Sequence, residues 1–336
     1  MINHSLLSLA KNYLVFTFAF LVYCLTGKTP SRGYQAMIYL FCRTQGRFND
    51  RLSRLITYVN PPEKLTEQSG VLGKMTLERL EMITNELNVK GYYVFHENQL
   101  SEEMCERLLK LSLELSPVLR EVESHPGEKF NRQSPRTIRY DFKAKDLLQN
   151  EDVQALVADP TLELLARSYL KANPIIDIVT MWWNTAFSGK ASKEAAQYYH
   201  FDLDRFKWLK FFFYITDVGP EQGPHTYITG SQLSGGIPEH LLRAGYSRLE
   251  DSAVESCYKK DSIKVFTGLR GSIIAEDTRG LHKGKNVTNG DRLMFQLQFS
   301  NCMFGSVYEK AKVHQSKNKK FKELLIEKSP LIRNYI

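Results

Sequence analysis

An α+β chain is predicted, with helices leading and an antiparallel β core following. Three observations predict it. Apolar residues recur at helical spacing between residues 76 and 170. From Pro174 onward the chain turns to short β-rich runs bounded by Gly, Pro, Asn and Asp. The span 198–300 holds enough of these runs for a barrel or a double-sheet jelly roll. The chain's 336 residues, 43% hydrophobic and 24% charged, can bury such a core without disulfides. The five cysteines (Cys24, Cys42, Cys105, Cys257, Cys302) are scattered, odd in number and never spaced Cys-x-x-Cys. They argue against a disulfide framework and a zinc ribbon, and fit a reducing, cytoplasmic setting.

The elements follow in order. Residues 13–25 read YLVFTFAFLVYCL, thirteen residues with only Thr17 plainly polar. A transmembrane helix needs about 20 apolar residues, so this run is expected not to span. No small-x-small cleavage site follows it. A buried or partner-covered helix, a membrane-surface helix, and a cleaved signal or true span all remain open. A second apolar stretch at 34–42, followed by Arg43, Arg47, Arg51 and Arg54, favours contact with an anionic membrane. Residues 1–60 are therefore expected as a basic, apolar helical extension outside the catalytic barrel, held at an anionic membrane surface or a partner without crossing the bilayer. Deleting them is expected to spare metal and cosubstrate binding. Asn60-Pro61-Pro62 breaks the pattern, and 61–75 reads as a linker. Thr76 and Ser101 are plausible N-caps for helices over 76–89 and 101–115, with a strand at 92–95 between them. A further helix is expected over 160–170. Strands are expected at 175–183, 209–216, 262–266, 272–275 and 293–299. The catalytic domain is placed at 76–308, and a basic tail at 309–336.

The net charge of +8 sits in the flanks. Residues 1–60 carry seven Lys/Arg against Asp50 alone, and 309–336 carry eight against three glutamates. The middle shows no basic-aromatic stripe, so nucleic-acid binding is not expected.

His200-Phe201-Asp202 is the one place where an acid follows a histidine by two. On a strand, residues i and i+2 share a face, so imidazole and carboxylate could meet one metal. With eight histidines and 37 acids in the chain, such a pair arises by chance and alone proves nothing. Its company makes the case. His282 follows the run Gly271-Ser272-Ile273-Ile274-Ala275, and Arg292 opens the strand after it. Two imidazoles and a carboxylate can cap one face of Fe(II) and leave positions open. An arginine nearby can grip a carboxylate bidentately. These are the requirements of a 2-oxoglutarate-dependent oxygenase, with dioxygen taking the last iron position.

The ordered set Tyr199-His-Phe-Asp-Leu-Asp204, Leu209-Lys-Phe-Phe-Phe-Tyr-Ile-Thr-Asp-Val218, Gln222-Gly-Pro224 and Ile228-Thr-Gly-Ser231, with His282 and Arg292, resembles the phytanoyl-CoA dioxygenase family over residues 88–305. The resemblance implies a double-stranded β-helix, Fe(II), 2-oxoglutarate and hydroxylation of an unactivated C–H bond of a small organic or acyl-type substrate. It implies His200, Asp202 and His282 as metal ligands and Arg292 as the 2-oxoglutarate anchor. Gln232 stands where the family often has a non-ligand histidine. Halogenating relatives lack the carboxylate ligand, so Asp202 favours hydroxylation.

Asn184 stands where the family often places an amide touching 2-oxoglutarate; a strand-end Asn satisfied by backbone is the alternative. Lys210, on an apolar strand face with Trp208, Phe212 and Tyr214, needs an anion. That anion is a structural carboxylate or else a cosubstrate or substrate. Gln296 and Gln298 share a face with Arg292. His225 and His240 are expected in loops. A strict hairpin at Asn289-Gly290 would put Arg292 roughly 16 Å along from His282 at ~3.3 Å per residue; a looser loop over 283–291 is expected instead. The competing functions are a cupin-like isomerase or hydrolase, which would leave Arg292 without a task, and a non-catalytic membrane-associated protein with a vestigial barrel.

Overall fold

Three helices open the chain: α1 (Leu6–Thr26), α2 (Ser31–Thr44) and α3 (Arg47–Val59). The computed structural model describes residues 6–95, 99–125, 127–188, 196–243, 245–308 and 311–335. Pro30 holds extended backbone ahead of α2, and Gln45 and Gly46, both at positive φ (51° and 86°), reverse the chain into α3. The polar residues ahead of the apolar run do not break α1, since Asn12 Nδ2 donates to Ser8 O at 2.8 Å. The helix reaches 21 residues, long and apolar enough to cross a membrane by length and composition. The expectation that this segment is too short to span is thereby corrected. The thirteen-residue run is only the centre of a longer helix.

These helices are not a loose appendage. Phe16 of α1 meets Phe48 of α3, and also Phe206 and Phe304 of the following domain, with ring centroids 4.7, 6.0 and 5.2 Å away. Phe41 of α2 stacks on Phe201 at 5.7 Å. Asp50 of α3 accepts from Arg279 at 2.9 Å. Each of the three helices sets one apolar face against the domain, contrary to the detachable extension expected from the charge pattern. Residues 61–75, expected as a linker, carry a hairpin of β1 (Gln68–Gly70) and β2 (Gly73–Met75) turned at Gly73. Leu72 and Met75 are buried, and Val71 N donates to Asp159 at 2.8 Å.

Thr76 accepts from Arg79 N and caps α4 (Leu77–Lys90); Gly91, at φ 89°, ends it. β3 (Tyr92–Phe95) follows, then Ser101 caps α5 (Glu102–Glu114). Next come β4 (Val118–Leu119), β5 (Arg139–Phe142), α6 (Ala144–Leu147), α7 (Glu151–Val157) and α8 (Pro160–Leu170), the last capped by Asp159 with proline at its first position. The β-rich half holds β6 (Ile175–Thr185), β7 (Trp208–Tyr214), β8 (His225–Ile228), α9 (Glu239–Leu242), α10 (Asp251–Glu255), β9 (Ile263–Phe266), β10 (Ile273–Glu276), β11 (His282–Gly284) and β12 (Asp291–Ser300). α11 (Lys319–Ile326) lies in the expected tail, which is no free tail: Phe321, Ile332 and Tyr335 are buried in the core.

The major sheet runs β3-β10-β7-β12-β6-β5-β4 and the minor one β11-β8-β9, antiparallel throughout. Period-two alternation divides the labour. Odd-numbered residues such as Trp183, Phe211, Ile273 and Phe295 join the main core with Leu80, Leu108 and Leu165 of the helices. Even-numbered Trp182, Phe212, Ile274 and Met294 pack with Tyr227 and Phe266 of the minor sheet. The result is an α+β double-stranded β-helix, whose cavity lies on the even face. His225, expected in a loop, is buried on β8; the four-residue strand is too short to declare its alternation. His240 is the second residue of the one-turn helix α9.

Candidate active site

His200 reaches the cavity from an extended segment bridged to β11. His200 N and His282 N each donate to the other's carbonyl at 2.9 Å. Asp202 N donates to Thr278 O at 2.7 Å and fixes the next inward residue. Phe201 between them packs with Phe41, Leu203 and Ile228. The three functional side chains are buried, and their ligand atoms lie within 4.8 Å of one another. Asp202 sits 3.8 Å from His200 Nε2 and 3.6 Å from His282 Nε2. His200 Nδ1 lies 3.0 Å from Tyr198 O and His282 Nδ1 2.9 Å from Gly280 O. A carbonyl can only accept, so Nδ1 carries the proton in each ring and Nε2 keeps its lone pair towards Asp202.

Burial lowers the His200 pKa to about 4 against the pull of Asp202, and lowers that of His282 to about 3, with His200 adding to the drop. Both rings are therefore neutral, as a metal ligand must be. Burial would push the Asp202 carboxyl up, but Lys210 and the two imidazoles outweigh it and hold it far below the ordinary range. Lys210 Nζ lies 2.5 Å from Asp202 and 3.6 Å from Asp204. Of the two anions expected for Lys210, a carboxylate is found, and it belongs to Asp202 of the convergent cluster.

Arg292 lines the same cavity as this cluster. β11 and β12 belong to different sheets, joined through residues 285–290, so the looser connection expected there is present. Arg292 folds back until Nη2 would sit 3.2 Å from a Cβ added at Gly284, two residues past His282. That glycine leaves the guanidinium its room. Nη2 donates to Asn184 Oδ1 at 2.8 Å, which also accepts from Trp182 Nε1 at 2.9 Å. Asn184 thus orients the arginine. Arg292 Nε and Nη1 are buried and have no hydrogen-bond partner among the described residues. Burial lowers the Arg292 pKa to about 10. A buried cation with unpaired donors is suited to pairing with an anion such as a carboxylate.

The cavity measures about 320 Å³. Gln296 lines it as expected, whereas Gln298 lies elsewhere, donating to Asp177 at 2.8 Å. Gln232 stays away, donating to Asn88 O at 3.2 Å at the end of α4. Sequence reasoning missed His225, which lines the cavity and pairs with the fully buried Glu276 at 2.8 Å. It also missed Arg120, Arg139 and Arg248 on the same wall. The first two share Asp141, at 2.5 and 2.8 Å. Their sequence contexts carry no periodic signal; pairing of β5 with β6 and of β4 with β5 brings in Arg139 and Arg120, and Arg248 comes from the segment between α9 and α10.

A double-stranded β-helix gathering two neutral imidazoles, an ionised carboxylate and a facing buried arginine defines an iron- and 2-oxoglutarate-dependent oxygenase. The chain belongs to the phytanoyl-CoA dioxygenase family, whose family model matches residues 88–294. No curated protein matches it. Among solved structures it is similar to EctD from S. alaskensis with 2-oxoglutarate and 5-hydroxyectoine, at 18% identity over 72% of this chain and 86% of that one, TM-score 0.47. It is also similar to the epimerase SnoN in complex with Fe3+, alpha ketoglutarate and nogalamycin RO, at 17% identity over 66% and 83%, TM-score 0.44. HygX from Streptomyces hygroscopicus, with nickel and 2-oxoglutarate bound, matches at 16% over 73% and 94%, TM-score 0.44.

Proposed function

We propose that this enzyme hydroxylates a C–H bond of a small organic molecule, using dioxygen and 2-oxoglutarate and releasing succinate and CO2. His200, Asp202 and His282 would hold Fe(II), and Arg292 would hold the distal carboxylate of 2-oxoglutarate. The observation that carries the reading is that Arg292, a buried cation with two unpartnered donors, lines the same cavity as three convergent ligand atoms. Bound iron supplies oxygen activation coupled to oxidation of the keto acid.

The chain's own residues do the rest. The carbonyls of Tyr198 and Gly280 fix both imidazole tautomers. Lys210 keeps Asp202 ionised and so available as a ligand, and Asp202 fills the position a halide would need. Asn184 aims the Arg292 fork. The cavity wall carries Arg120, Arg139 and Arg248, which favours a substrate bearing a carboxylate or phosphate. Peripheral contact with a membrane through residues 1–60 belongs to the same proposal, favoured by the exposed apolar residues of α1.

Anaerobic titration with Fe(II), with and without 2-oxoglutarate, tests the site. A charge-transfer absorbance that needs both components is expected. Its absence in the wild-type protein, with metal bound, would refute the keto-acid reading. Coupled chlorination of a product, or inversion of a stereocentre without oxygen gained, would refute hydroxylation.

A further inference from the structure

We propose that α1 is an in-plane membrane anchor, its outer face embedded at the headgroup–acyl boundary of an anionic bilayer while its inner face stays on the catalytic domain. The inference uses no residue of the cavity and stands apart from the catalytic reading.

The two faces of α1 are both apolar, which is unusual for a surface helix. The inner face is occupied. Phe16 and Phe20 pack on Phe206 and Phe304, Tyr23 packs on Phe304 with centroids 5.5 Å apart, and Met303 N donates to Tyr23 OH at 3.2 Å. The outer face is Leu7, Leu14, Phe18, Leu21 and Leu25, each between 57% and 87% exposed. At 100° per residue these five fall within an arc of about 60° and run about 27 Å along the helix. A continuous apolar stripe of that length on water needs an occupant.

Charge selects the occupant. There is no Asp or Glu before Asp50, while Lys11, Lys28 and Arg32 are exposed on or just beyond α1. A lipid surface with anionic headgroups answers both features, taking the stripe into its acyl boundary and the lysines at its headgroups. Packing selects the orientation. A helix spanning the bilayer would have to leave Phe206 and Phe304 and present both faces to lipid. With its inner face on the domain, α1 can only lie flat.

The test uses the full chain carrying Phe18→Trp, a position near the middle of the helix. Vesicles of phosphatidylcholine with phosphatidylserine carry a quencher either near the headgroup or near the bilayer centre. The expected result is flotation with these vesicles, weakened but not abolished by salt, with the new tryptophan quenched by the shallow label. A spanning helix would place residue 18 at the deep label, and deep quenching overturns the proposal. The combined variant Leu14→Glu, Phe18→Glu, Leu21→Glu should float about tenfold less or worse while keeping the Tm of the wild type. Flotation unchanged in that variant, or none by the wild type at low salt, overturns it too. So does lipid-free self-association that the variant abolishes in a protein that ignores vesicles, since a second copy would then cover the stripe.

Discussion

Arg292 illustrates how much a single side chain can hold in reserve. Its Nη2 is bonded to Asn184, and Nε and Nη1 are left for a ligand. Arg292→Lys keeps a cation but loses the planar fork. Charge-assisted hydrogen bonds contribute about 1.5–3 kcal/mol, so the KM for 2-oxoglutarate is expected to rise roughly 10- to 100-fold with Fe(II) affinity unchanged. Steady-state kinetics and metal titration on the same variant check this split. The two imidazoles give a pH prediction. Ordinary histidine takes up its proton near 6.5, whereas burial delays His200 to about 4 and His282 to about 3. Between these values the unfolded chain binds more protons than the folded one, so the metal-free protein loses stability as pH falls from 6.5 towards 4. Metal affinity should stay nearly flat over the upper part of that range, because folded-state protons do not yet compete for Nε2. Thermal unfolding of the apo protein and Fe(II) titrations across this window measure the two effects separately. A metal affinity that falls steeply through pH 6.5 would contradict the buried, neutral state of the rings.

At the scale of elements, α2 supports the His200–Asp202 segment from behind. Phe41 stacks on Phe201, whose chain neighbours are His200 and Asp202. Phe41→Ala is expected to cost about 3–5 kcal/mol, as for other buried aromatics, and to weaken Fe(II) binding by loosening the His200–Asp202 segment. Leu14→Ala, on the exposed face of α1, should change stability in solution by no more than about 0.5 kcal/mol. Chemical denaturation of both variants compares them directly. For the same reason, removal of residues 1–60 is expected to yield insoluble protein, since it bares Phe201, Phe206 and Phe304 and takes Asp50 from Arg279. A soluble, iron-binding truncation would show that the three helices are dispensable after all.

Across the whole molecule, the fold sorts charge by place. Five cations line the cavity, with Asp202 the one carboxylate lining it among the described residues. Asp141 offsets part of the charge of Arg120 and Arg139 without entering the lining. A low-dielectric pocket with this excess draws in anions and disfavours amines. Candidate substrates with a carboxylate or phosphate should therefore stimulate 2-oxoglutarate turnover more than their amine counterparts. Succinate release across a matched panel reads this out, and a preference for cations would refute it.

The convergence of His200, Asp202 and His282 was legible in the chain because Tyr199 to Asp204 and the later runs keep a family's order. Arg292 was legible for the same reason, and so were the caps at Thr76 and Ser101, where local hydrogen bonding sets the boundary. The partner of Lys210, the orienting role of Asn184 and the His225–Glu276 pair were decided only by the tertiary structure, because each joins residues from segments far apart in the chain. The amino terminus divides the same way. Its apolarity and positive charge are written in the sequence, but an apolar residue carries no label for the surface it will meet. Phe16 and Phe18 differ by two positions; one is buried on Phe304 and the other faces outward, because a helix turns about 200° between them.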